Sequence, residues 1–204
     1  PVLRETLAGQ DNVTVVQGDC LKLDLTALIR ERFCAMPVSV CANLPYYITS
    51  PIVMRLLESR LPVTNITVMV QKEAAERLCA APGTRAAGAV TLAVNYYAEA
   101  EVLFSVSRGS FLPAPNVDSA VIRLHVRQQP PVDVRDERVL FSLIRAGFGQ
   151  RRKTLQNALC SAGYSKDEIA AALAAADIRQ TARAEELTLA AFARLADALP
   201  TKEG

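Results

Sequence analysis

The sequence has no tryptophan and a single histidine, His125. That histidine lies inside an alternating apolar run, so a histidine-based triad or metal site has little support. Cysteine gives no framework either. Cys20, Cys34, Cys41, Cys79 and Cys160 are odd in number, scattered and free of any CxxC pair, which argues against disulfides and against zinc. They are expected to be small buried hydrophobes, and no metal is expected. No apolar run approaches the roughly 18 to 20 residues of a bilayer span, and the first residues lack a basic stretch followed by an apolar core. A globular, cytoplasmic monomer without membrane contact is the expectation.

What is present is an even, half-apolar composition over 204 residues, enough for one sizeable core and a small accessory unit. The net charge is only +2, yet Arg123 to Lys153 holds eight Lys or Arg against three acids, a local +5. The first residues, "PVLRETLAG", read as the end of a helix closed by Gly9. Short β-branched runs at 13–19, from residue 38 to the "VCANL" segment, and at 65–71 alternate with helical stretches at 21–33, 51–61 and 72–80. Such alternation predicts an α/β sheet with parallel pairing and both faces covered. After a helix at 89–97, "AEVLFSV" and "AVIRLHV" have no room for a helix between them and are expected to pair antiparallel at the sheet edge. "RQQPPVDVRD" marks a linker. Beyond it Leu140, Phe141, Ile144 and Phe148 share one helical face, as do Leu155, Ala158, Leu159 and Ala162, with further helices at 170–176 and 187–199. Two domains are expected, 1–132 and 133–204, the second all-helical.

Chemistry concentrates at four places. Asp19 and Asn43 close strand-like runs, and ligands of open α/β sheets bind beyond the carboxyl ends of the strands. Asp19 could accept from an amine or a ribose, or simply bond its own backbone in a turn. In "NLPY", Pro45 holds Leu44 extended and supplies no donor, so carbonyls and the Asn43 side chain can face one spot beside the flat Tyr46 ring. That set suits a planar amine such as an extruded adenine N6 group. The plainer reading, a helix entry with Thr49 or Ser50 as N-cap and Pro51 in the first turn, covers residues 49 to 51 and leaves Asn43 and Tyr46 unaccounted for. "GSFLPAPNVDSAV" carries Phe111 on a proline-stiffened loop, either a core plug or a second stacking face. In "GFGQRRKTL", Arg151, Arg152 and Lys153 are either solvated or phosphate contacts, and Arg152 occupies the third glycine position of a dinucleotide fingerprint, which excludes that motif. Glu73 and Glu76 read as an exposed helix face with Arg77 rather than as paired catalytic carboxylates.

"ANLPYYITSPIV", "MVQKEAAERLCAAPGT", "FLPAPNVDSAVIRL" and "FGQRRKTLQNAL", in this order, resemble the bacterial small-subunit ribosomal RNA adenine N6-dimethyltransferases. The resemblance runs from about Pro1 to Leu195. It implies a Rossmann-like methyltransferase domain followed by a helical domain. It also implies transfer of two methyl groups from S-adenosylmethionine to each of two adjacent adenosines near the 3′ end of 16S ribosomal RNA, within the precursor of the small subunit. By motif, Asp19 and Cys20 would line the cofactor site and Asn43 would lie between cofactor and target base. Asn43 and the Leu44 carbonyl would accept from the N6 amine, Pro45 would shape that turn, and Tyr46 and Phe111 would flank the base. Arg151, Arg152 and Lys153 would contact RNA.

The family's glycine-rich turn and its ribose-binding acid have no counterpart here and would fall upstream of Pro1. The chain is therefore expected to be N-terminally incomplete, and residues 1–204 alone are expected to bind S-adenosylmethionine weakly or not at all. Two other readings stay in view. Relatives that methylate 23S RNA typically carry isoleucine where Leu44 stands and lack the "QRRKTL" continuation. A non-catalytic RNA-binding or assembly factor is favoured for residues 1–204 by the missing cofactor residues and disfavoured for the parent protein by an intact "NLPY".

Overall fold

The computed structural model describes residues 2–34 and 36–200. Helix α1 (Val2–Thr6) buries none of its side chains. Residues 13–17 are exposed coil rather than the expected strand, with Val13, Val15 and Val16 all exposed. A β-branched run becomes a strand only when a neighbour offers its ladder and its packing, and no described strand pairs with this one. Asp24 caps α2 (Leu25–Phe33) by accepting from the Ala27 N–H at 2.9 Å, which starts that helix later than periodicity suggests.

Strand β1 (Val38–Asn43) leads through a tight turn at Tyr46–Ile48 into α3 (Thr49–Glu58). The helix begins earlier than expected, and neither Thr49 nor Ser50 caps it: the Thr49 hydroxyl donates back to the Pro45 carbonyl at 3.3 Å. β2 (Val63–Gln71), α4 (Lys72–Leu78) and α5 (Ala89–Tyr97) follow, then β3 (Ala98–Val106) and β4 (Ser119–Val126). The sheet order is β1-β2-β4-β3. β1 and β2 are parallel, and β4 runs antiparallel to both β2 and β3. The antiparallel pair sits at the edge, as the short connection requires, with β3 outermost.

Register assigns the two faces. Ile66 pairs with Leu124, Val68 with Ile122 and Val70 with Ala120, and all six are buried with residues of α3, α4 and α5. Each fully buried aliphatic side chain of this kind contributes about 1.5–3 kcal/mol by leaving water. The opposite face carries Ser39, Cys41, Asn43, Arg123, His125, Glu99 and Glu101, all exposed. Coverage of both faces is thus a failed expectation among the described residues. The physical signal is the alternation in β4, where Arg123 and His125 interleave with Ile122 and Leu124; a strand buried on both faces would be apolar throughout. The cysteines also depart from expectation: Cys34 and Cys41 are exposed, and Cys20, Cys79 and Cys160 are only partly buried.

The C-terminal part is helical: α6 (Glu137–Gly149), α7 (Leu155–Leu159), α8 (Lys166–Ala175) and α9 (Leu189–Ala198). Side-chain caps start them. Asp136 accepts from the Arg138 N–H at 2.8 Å, and Ser165 and Glu168 form a reciprocal capping box. Leu140, Leu143, Ile144, Leu155, Leu159 and Phe192 form a second core. Helix α5 serves both cores, giving Leu92 and Tyr96 to this one and Val94 to the sheet. Gly147 of α6 lets its neighbours approach closely: an added Cβ would lie 3.0 Å from the Ala184 Cβ and 3.1 Å from Leu155 Cδ1. Across the junction the Glu137 carboxylate takes hydrogen bonds from Tyr97 and, at 2.7 Å, from Arg60. Burial, reinforced by that carboxylate, pushes the Tyr97 phenol pKa up.

Candidate active site

Asn43 ends β1 at the carboxyl rim of the sheet, on the open face beside Met69. The next residue is tied down: the buried Leu44 donates its N–H to the Met69 carbonyl at 3.4 Å. Pro45, at φ −60° and ψ 129°, then turns the chain into the Tyr46–Ile48 turn. Its carbonyl is fully used, accepting from the Ile48 N–H at 3.1 Å and from the Thr49 hydroxyl. By contrast, among the described residues no donor reaches the Leu44 carbonyl oxygen or the Asn43 side chain. The turn therefore leaves two acceptors unspent at the rim.

Tyr46 is half-buried, and its hydroxyl shares a 2.7 Å hydrogen bond with Ser119, the first residue of β4. Facing it is the loop between β3 and β4. Ser107 accepts from the Gly109 N–H, and the Phe111 N–H donates to the Arg108 carbonyl at 3.3 Å. Asp118 closes the loop twice: its carboxylate accepts from the Arg108 N–H at 2.9 Å, and its carbonyl accepts from the Lys72 N–H at 3.0 Å. The Leu112–Pro113 peptide is cis. Asn43, Leu44, Pro45, Tyr46, Phe111, Pro113 and Pro115 line one cavity of about 360 Å³. The two proline-bearing loops thus converge, and Phe111 stands at a cavity wall, not in a core.

Asp19 and Cys20 are not among the residues lining that cavity. Asp19 takes the plainer of its two readings: its carboxylate accepts from the Leu21 N–H at 2.9 Å and lies 3.7 Å from the Lys22 ammonium. Its side chain is nevertheless half exposed and keeps lone pairs for a further donor. The turn is anchored from α3, where the Arg55 guanidinium donates to the carbonyls of Leu21 and, at 2.6 Å, Leu23. Asp19 thus offers acceptor oxygens, and the unpaired Asn43 amide offers both a donor and an acceptor.

Arg151, Arg152 and Lys153 follow α6 in the helical part. Arg151 is engaged internally, donating to the carbonyls of Arg85 and Ala87 and pairing with Glu185 at 3.2 Å. Arg152 and Lys153 are exposed and, among the described residues, have no side-chain partner. Sequence reasoning overlooked Ser119 and Arg55. A serine opening a strand and an arginine inside the apolar run "PIVMRLL" carry no local signal; only the fold shows what they reach.

The family described as ribosomal RNA adenine dimethylase matches residues 1–200. Ribosomal RNA small subunit methyltransferase A of Clostridioides difficile is 47% identical over 203 residues, covering 99% of this chain and 70% of that protein. The protein of the same name from Geobacillus thermodenitrificans is 50% identical over 204 residues, covering 98% of this chain and 70% of its own length. Among solved structures, the 23S rRNA methyltransferase ErmE superposes with a TM-score of 0.69 at 27% identity, over 97% of this chain and 76% of that one. A dimethyladenosine transferase from Plasmodium falciparum gives 0.74 at 24% identity, over 95% and 74%, a likeness of fold.

Proposed function

This chain belongs to the ribosomal RNA adenine dimethylase family, and from that membership we propose that its residues present an adenine N6 amine for methylation in small-subunit RNA. The observation that carries the reading is the pair of unspent acceptors, the Asn43 side chain and the Leu44 carbonyl, in a cavity walled by Tyr46 and Phe111. The target is two adjacent adenosines near the 3′ end of 16S RNA, each methylated twice. Identities of 47% and 50% to small-subunit enzymes, against 27% to a 23S enzyme, favour this substrate over large-subunit RNA. A non-catalytic assembly factor would not need a pocket with free acceptors.

The chemistry follows from the geometry. Tyr46 and Phe111 sandwich the extruded base, each stacked face contributing about 1–3 kcal/mol toward the cost of unstacking it. Asn43 and the Leu44 carbonyl accept the two N6 hydrogens, which turns the nitrogen lone pair away from the ring and outward. As nitrogen gains positive charge, both acceptors bind it more strongly, so they stabilise the transition state more than the ground state. No strong base is needed, because the proton leaves after the bond to carbon has formed. The pocket removes the amine from water and fixes its direction. S-adenosylmethionine, when bound, would supply an electrophilic methyl group, and Asp19, Cys20 and Asn43 would hold it.

Residues 1–132 act as the methyltransferase domain and 133–204 as a helical RNA-contacting domain, in which Arg152 and Lys153 meet phosphate while Arg151 braces the segment that carries them. The test is mass spectrometry of 16S RNA after incubation of the full-length protein and methyl donor with immature small subunits. Dimethyladenosine at two adjacent positions is expected; its absence, with a competent control enzyme, refutes the reading.

A further inference from the structure

To stack on a base, the Tyr46 ring must be held in place. Tyr46 sits in a single turn between a strand and a helix, and where its ring points depends on which staggered χ1 well it occupies. The far end is held by a residue 73 positions away, through the 2.7 Å hydrogen bond to the Ser119 hydroxyl. Ser119 is completely buried. No other side-chain hydrogen bond of Ser119 is present among the described residues, so its hydroxyl is committed to Tyr46.

Ser119 is itself fixed. It opens β4, pairs with Gln71 of β2 and Val106 of β3, and follows Asp118, whose two hydrogen bonds close the Phe111 loop on itself at Arg108 and tie it to Lys72 at the start of α4. One dipeptide therefore sets both walls of the cavity: Asp118 secures the loop that carries Phe111, and Ser119 holds the Tyr46 ring opposite.

We propose that Ser119 is a positioning residue for base capture: its buried hydroxyl fixes the Tyr46 ring as one wall of the adenine pocket. The proposal rests on the pocket reading above. Because it acts through one hydrogen bond, its effect must vanish when the bond is cut from the other side. That makes a double-mutant cycle decisive.

The experiment uses full-length enzyme and immature small subunits, with Ser119→Ala, Tyr46→Phe, the double variant and Tyr46→Ala. Ser119→Ala and Tyr46→Phe are each expected to lower kcat about five- to tenfold, the worth of one neutral hydrogen bond. The double variant is expected to be no worse than the poorer single one. The donor dissociation constant, by calorimetry, stays at the wild-type value. A second readout is binding alone: 2-aminopurine at the target position of reconstituted subunits reports base stacking without methylation. Its emission in complex with Ser119→Ala should move from the wild-type value toward that with Tyr46→Ala. Wild-type kcat and emission in Ser119→Ala, or single effects that multiply in the double variant, overturn the proposal while leaving the pocket standing. If Tyr46→Ala itself changes neither kcat nor emission, the pocket reading falls and the role of Ser119 falls with it.

Discussion

Replacing Asn43 with alanine separates catalysis from folding with little ambiguity. The Asn43 side chain is exposed and hydrogen-bonds to nothing among the described residues, so its loss removes no contact that holds the fold. Surface changes of that kind stay within about 0.5 kcal/mol, and the thermal midpoint should barely move. Catalysis should respond quite differently. In the transition state the missing carbonyl would have accepted from an amine acquiring positive charge, an interaction of about 1.5–3 kcal/mol. That corresponds to about a 10- to 150-fold fall in kcat. Activity should not vanish, since the Leu44 carbonyl, a main-chain atom, survives the substitution. Single-turnover methyl transfer with full-length enzyme, saturating donor and saturating small subunits measures the step directly. A single-turnover rate constant within twofold of wild type would refute the acceptor role, and so would a loss of activity explained by a lowered melting temperature.

Other consequences follow from particular contacts. Reversing charge at Arg152 and Lys153 together should weaken RNA binding and reduce the slope of log affinity against log salt by about two, because two phosphate contacts are lost; an unchanged slope would remove them from the interface. Gly147→Ala should destabilise the protein: the gain in helix propensity, at most about 1 kcal/mol, is outweighed by overpacking against Ala184 and Leu155 at 3.0 and 3.1 Å, and denaturant unfolding reads the difference. The Tyr97 phenol, raised above its ordinary value of 10.0 first by burial and then by Glu137, favours the folded state while it stays protonated. Its contribution is full below pH 10 and is lost as the pH climbs beyond it, so Tyr97→Phe should flatten the alkaline limb of a stability–pH curve. Alkylation at neutral pH should reach exposed Cys34 and Cys41 before Cys79, whose thiol is pushed up to about 11 by burial and then by Glu101.

Much of the architecture was legible in the sequence because periodicity records burial. The runs at 38–43, 63–71 and 119–126 alternate or run apolar as their neighbours demand, and the helical faces at Leu140, Ile144, Leu155 and Leu159 point into the second core. The failures share a cause. The run at 13–19 has strand composition, but composition cannot supply the ladder that makes a strand. Thr49 looked like a cap because it precedes Pro51; its hydroxyl instead donates back to the Pro45 carbonyl, which also accepts from the Ile48 N–H. Within the site, "NLPY" and "FLPAP" disclosed the acceptors and the two aromatic walls, since proline restricts its neighbours in a way that can be read locally. Ser119 and Arg55 stayed hidden, because what they do depends on partners 73 and 34 residues away.

Everything proposed for the site turns on the Leu44 carbonyl and the Asn43 side chain receiving the N6 amine of an adenine held between Tyr46 and Phe111. The most direct measurement is a high-resolution structure of the full-length enzyme on an immature small subunit with a non-transferable donor analogue. One target adenine is expected out of its stack, its N6 nitrogen within about 3.2 Å of both acceptor oxygens, and both rings against its faces. An adenine bound elsewhere, or N6 pointing away from Asn43 and Leu44, would contradict it.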